Sequence, residues 1–74
     1  MPKFTQISGK QMIKALRKAG FVVIGQEGSH IKMRKMTHTK ITIIVPNHKI
    51  IRPGTFKNIL KTADLTRSEF DKLS

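Results

Sequence analysis

Met12, Ile13, Leu16 and Ala19 recur at the three- and four-residue spacing that puts side chains on one face of a helix. Lys10, Lys14, Arg17 and Lys18 fall on the opposite face, so the segment predicts a surface helix with an apolar underside and a cationic top. Ser8 can cap it, and Gln11 three residues later completes a capping box. Gly20 stands where a left-handed residue closes a helix.

The pattern then changes. Phe21-Val22-Val23-Ile24 is rich in strand formers. Gly25-Gln26-Glu27-Gly28 reads as a turn with glycines available for positive φ. A second strand follows from Ser29 to about Met36, with a turn in residues 35–40. Ile41 to Val45 is a third strand, and Pro46 ends it because proline cannot donate to the ladder. Such short connections imply antiparallel hairpins.

A loop from Asn47 to Arg52 leads to Pro53-Gly54-Thr55, with Thr55 as the expected cap of a second helix. Its inner stripe is Phe56, Ile59, Leu60 and Ala63, while Lys57 and Lys61 face away. Thr66-Arg67-Ser68-Glu69 is a second capping box and opens a last short helix through Phe70 and Leu73. The order is αβββα with a terminal helix. It predicts an α+β fold, a three-stranded antiparallel sheet with two helices on one face. No repeat or linker divides residues 1–74, so a single domain is expected.

Composition adds one decisive fact. The chain has 74 residues and a net charge of +11. The charge is uneven: 13 cations stand against Glu27 alone up to residue 63, and the remainder is slightly acidic. Such an excess says little about fold, but it predicts a polyanionic partner. Disulfides and thiolate metal sites are excluded because there is no cysteine. No apolar run approaches the roughly 20 residues of a membrane span, and Met1 to Phe4 lacks the apolar stretch of a secretory signal. Membrane-surface binding would need bulky apolar residues beside the basic stripe of the first helix, which has none. A cytoplasmic protein without membrane contact is the expectation.

Side chains alternate faces along a strand. In the second strand Ile31 and Met33 point toward the helices, while His30, Lys32 and Arg34 point the other way. A phosphate drawn to Lys32 and Arg34 would lie within reach of His30. That histidine could bind RNA or move protons as a general acid or base. His48 lies in a loop with Lys49 and Arg52 that runs into a helix N-terminus, a setting suited to anions. His38 falls in the expected hairpin turn. The three histidines form no HExxH pattern and no acidic cluster stands near them, so no metal site and no cofactor is expected. Ser29 and His30 are adjacent in a strand and point to opposite faces, which disfavours a Ser–His hydrolase pair. There is no Trp or Tyr, and Phe21 and Phe56 read as core, so the base-stacking platform of an RRM or OB-fold is missing. Contacts to phosphates and sugars remain.

Gly20-Phe21 after an amphipathic helix, Gly28-Ser29-His30, Val45-Pro46-Asn47-His48, and Pro53-Gly54-Thr55 with Ile59-Leu60 resemble the HicA toxin family. The resemblance runs from about Ile7 to Leu73. It implies a double-stranded-RNA-binding-domain-like fold. It also implies an mRNA interferase, a ribonuclease toxin of a toxin–antitoxin module, cutting mRNA without a metal. The family's catalytic histidine falls on His30. The implied partner is a HicB-type antitoxin that covers the active site. Lys10, Lys14, Ser29, Lys32, Arg34, His48, Lys49 and Arg52 are the expected RNA contacts. The chain departs from the family at Ile50-Ile51, where small residues are usual, which suggests packing or a partner contact.

The competing reading is a double-stranded-RNA-binding module without catalysis, which has the same element order. It would use Lys10, Lys14, Gly28-Ser29-His30 and Lys57 with Lys61. Function lives in the site and not in the fold. A third reading takes the cationic face solely as a surface for an acidic protein.

Overall fold

The computed structural model describes residues 6–37 and 39–73. Its elements are α1 (Gly9–Lys18), β1 (Val22–Glu27), β2 (His30–Met36), β3 (Lys40–Pro46), α2 (Pro53–Ala63) and α3 (Arg67–Leu73). This is the α+β, αβββα arrangement that the patterning predicts.

The capping box of α1 is complete. Gln11 N–H donates to Ser8 Oγ at 3.1 Å, and Ser8 N–H donates to Gln11 Oε1 at 2.9 Å. Gly20 takes a φ of 106°, the left-handed conformation expected of it. Met12, Ala15 and Leu16 are buried, whereas Ile13 and Ala19 are only half-buried at the margin of the stripe.

The sheet has the order β1-β2-β3, antiparallel throughout. β1 runs past Ile24 to Glu27, so the four-residue turn expected at 25–28 does not exist. An irregularity between Val23 and Gly25 shifts the register, and pairing resumes from Gly25↔Lys32 to Glu27↔His30. The ladder hydrogen bonds override the weak strand preference of Gln26 and Glu27. Only Gly28 and Ser29 remain as the turn, Gly28 with a φ of 62°. β2 and β3 pair without a slip from His30↔Pro46 to Met36↔Lys40. At the end of that hairpin Thr37 N–H donates to the Thr39 carbonyl at 3.2 Å, and His38 lies outside the described residues.

One sheet face holds Ile31, Met33, Ile43 and Val45, all buried. They form a single core with Met12 and Leu16 of α1 and Phe56, Ile59 and Leu60 of α2. α2 starts at Pro53 with Arg52 as its N-cap, and no side chain caps it. Thr55 is therefore inside the first turn and not the cap. Proline's preset φ lets the helix begin three residues earlier, at Pro53 and not Phe56. The helix ends at Asp64, φ 60°, where Leu65 N–H bonds the carbonyl of Leu60 at 2.9 Å.

The second capping box also forms, with Glu69 N–H on Thr66 Oγ1 at 3.1 Å and Thr66 N–H on Glu69 Oε1 at 2.8 Å. It aims Phe70 of α3 into the core, edge-on to Phe56 at 5.1 Å between ring centres. The acidic C-terminal segment thus completes the core. In the 47–52 loop, Ile51 is buried and its N–H bonds the carbonyl of Ile7 at 2.7 Å, while Ile50 stays half exposed. Among the described residues no helix is long and apolar enough to cross a membrane.

Candidate functional site

The outer sheet face is left uncovered by the helices. Strand alternation sets His30, Lys32 and Arg34 there in one row. Register places Pro46, Ile44 and Thr42 of β3 beside them, and Glu27 of β1 beside His30. Arg34 Nε donates to Thr42 Oγ1 at 3.2 Å, which fixes the guanidinium and leaves four of its N–H groups for a ligand. His30, Lys32, Arg34 and Glu27 border one open cleft with Ile24 and Ile44. Lys32 and Arg34 border the same cleft as the imidazole, and such cations can hold a phosphate ester.

His30 also borders a second hollow, shared with His48, Arg52 and Thr55. His30 is thus the ridge between two clefts. Ser29 does not meet its neighbour His30. Its Oγ instead lies 3.4 Å from His48 Nε2, 19 residues away in the chain. Two backbone bonds hold this corner: Asn47 N–H donates to the Ser29 carbonyl at 2.7 Å, and Gly9 N–H to the His48 carbonyl at 2.8 Å. The uncapped N-terminus of α2, with Arg52 and Thr55, opens on the same hollow, and its free amides favour negative charge.

The structure thus brings together His30, Lys32 and Arg34, and beside them Ser29, His48 and Arg52. Lys49 is exposed in the loop but borders neither cleft. Lys10 and Lys14 are on α1, whose buried side packs on the other sheet face. They line a separate hollow with Ile13, Arg17, Lys18 and Asn47. The Asn47-His48 segment joins the two, with Asn47 on the α1 hollow and His48 on the hollow shared with His30.

Three residues escape a reading of the sequence. Glu27 is hidden by the mistaken turn, although a two-residue Gly28-Ser29 hairpin would have set it opposite His30. Gly9 and Asn47 act through backbone contacts that no motif announces. Phe21, Phe56 and Phe70 are all buried, so no described phenylalanine offers a stacking surface. Among the described residues no three His, Asp or Glu side chains gather as metal ligands.

The family model described as the HicA toxin of bacterial toxin–antitoxin systems matches residues 9–65. The chain belongs to the HicA toxin family. The match spans α1 through the end of α2, and it includes both the His30 row and the His48 corner. The comparison with curated proteins gave no match. Membership makes this chain a toxin of a toxin–antitoxin module, with a cognate antitoxin as its implied partner.

Proposed function

We propose that this HicA toxin is a metal-independent endoribonuclease that arrests translation by cutting mRNA, with His30 as a general acid or base. The observation that carries this reading is the row of His30, Lys32 and Arg34 on an uncovered sheet face. In RNA the ribose 2′-OH can attack the adjacent phosphate, a reaction that needs proton transfer and charge stabilisation. His30 supplies the proton transfer. Lys32 and Arg34 stabilise charge that builds on the phosphate oxygens. Lys10, Lys14, Ser29, His48, Lys49 and Arg52 hold the strand through phosphate and sugar contacts.

The partner is a HicB-type antitoxin that covers this face. Ile24, Ile44 and Ile50 are 42%, 46% and 50% exposed around the two clefts. A phosphate backbone has no use for such apolar groups, whereas a protein partner gains by burying them.

The test is induction of wild type and His30→Ala in cells, with growth and mRNA integrity followed together. The wild type should arrest growth and degrade mRNA, and the variant should do neither. Purified toxin should cut RNA in the presence of a chelator and spare an all-deoxy strand of the same sequence. A wild type that binds duplex RNA for hours without cutting it would establish the non-catalytic binding module instead. The two-residue β1–β2 turn speaks against that module, since it is too short to reach a second groove.

A further inference from the structure

His48 is an exposed side chain on a loop, yet contacts from two distant segments hold it. Its carbonyl is bonded by the first amide of α1, and the preceding amide is bonded by the carbonyl of Ser29. The Ser29 hydroxyl meets its ring at 3.4 Å. Gly9 permits this arrangement. A Cβ there would stand 2.6 Å from both Asn47 Cα and the Pro46 carbonyl oxygen, closer than such atoms approach. Alanine is ordinarily the better helix residue, so a glycine at the head of α1 serves the loop and not the helix.

The imidazole so fixed lines the same hollow, of about 460 Å³, as His30. The two rings come from different elements, one from β2 and one from the loop after β3. Charge-based phosphate contact asks for little of this precision, while proton transfer depends on it.

Cleavage through the 2′-OH moves two protons. One leaves the attacking 2′ oxygen as the O2′–P bond forms. One must reach the 5′ oxygen as the P–O5′ bond breaks. Nucleophile and leaving group lie on opposite sides of phosphorus in an in-line displacement. A single imidazole does not serve both ends in one step.

We propose that His48 is the second proton carrier of the reaction, paired with His30, and that Gly9 is its positioning residue. This rests on the ribonuclease reading above. One histidine, neutral, accepts the 2′-OH proton. The other, protonated, donates its proton to the departing 5′ oxygen. The products are a 2′,3′-cyclic phosphate and a 5′-OH end. Both histidines have then exchanged protonation states, and hydrolysis or exchange with water restores them.

The experiment uses purified toxin and two substrates: an RNA carrying its mapped cleavage site, and the same RNA with sulfur replacing the bridging 5′ oxygen there. A thiolate leaves without a proton. His30→Ala and His48→Ala should each lower kcat on the oxygen substrate by about 100-fold or more. One of the two, the acid, should recover most of that loss on the sulfur substrate, and the other should not. The wild-type pH profile should be bell-shaped, with each variant losing one limb. His48→Gln, which can still hydrogen-bond Ser29, should be as impaired as His48→Ala. Gly9→Ala should lower kcat more than it raises KM, with the same sulfur response as His48→Ala. Both histidines are exposed, and circular dichroism checks that each variant folds. If His48→Ala raises KM alone and keeps both limbs, or leaves cleavage unchanged, the proposal is overturned while His30 catalysis stands. If the wild type cuts neither substrate, the ribonuclease reading itself fails.

Discussion

The two faces of the β2–β3 hairpin take alternate residues of the same two strands, and they have opposite fates. Ile31, Met33, Ile43 and Val45 disappear into the core. His30, Lys32, Arg34 and Ile44, one position over, face outward. The inner set is what packing demands: apolar, of fitting volume and without a polar atom. The outer set serves no packing purpose. A solvated face needs mixed charge, yet this row carries cations, a histidine and an exposed isoleucine. The difference teaches where each kind of requirement is recorded. Stability is written on the face where side chains pack together, and the proposed chemistry on the face left open to solvent.

The comparison can be broken most severely at Met33, which has no exposed surface. Met33→Ala should cost about 2–5 kcal/mol through lost transfer energy and a residual cavity. Small domains have only several kcal/mol of stability in all, so urea denaturation should find this variant largely or wholly unfolded. Its neighbour Lys32→Ala should stay within about 0.5 kcal/mol of wild type in the same assay. A large loss of stability at Lys32 would show that the outer row also supports the fold.

A finer test of the outer face is its salt dependence. Lys32→Ala should weaken RNA binding about equally across sequences. It should also reduce the slope of log affinity against log salt by about 1. A sequence-selective effect with an unchanged slope would mean that Lys32 reads bases and does not hold a phosphate. A modest effect lies away from both faces. Ser8→Ala removes one half of the α1 capping box and should cost about 1 kcal/mol of stability. Because Ser8 adjoins Gly9, which holds the His48 carbonyl, thermal melts should be read beside cleavage rates. A loss of rate far beyond the loss of stability would extend the active corner into the cap.

Legibility followed the range of the interactions. Both capping boxes, the stripe of α2 and the inward and outward alternation of β2 were readable, since each is set within three or four residues or by a period of two. The expected turn at 25–28 gives way to strand because Gln26 and Glu27, poor strand formers, are held in place by pairing with Ile31 and His30. Thr55 is not the cap because Pro53 starts the helix earlier. At the candidate site, the row of His30, Lys32 and Arg34 was visible for the same reason as the strand itself.

The sequence alone determined the element order, the two sheet faces, the cationic character and the histidine row, because local periodicity and charge act without knowledge of distant partners. Only the tertiary structure decided that Ser29 answers to His48 and not to His30. It also decided that Lys10 and Lys14 stand apart from the cleft, and that Gly9 makes room for a loop 38 residues further on. Those are contacts between segments far apart in the chain. Their geometry is set by how α1, the β1–β2 turn and the 46–48 segment pack together, which no periodicity in the sequence encodes.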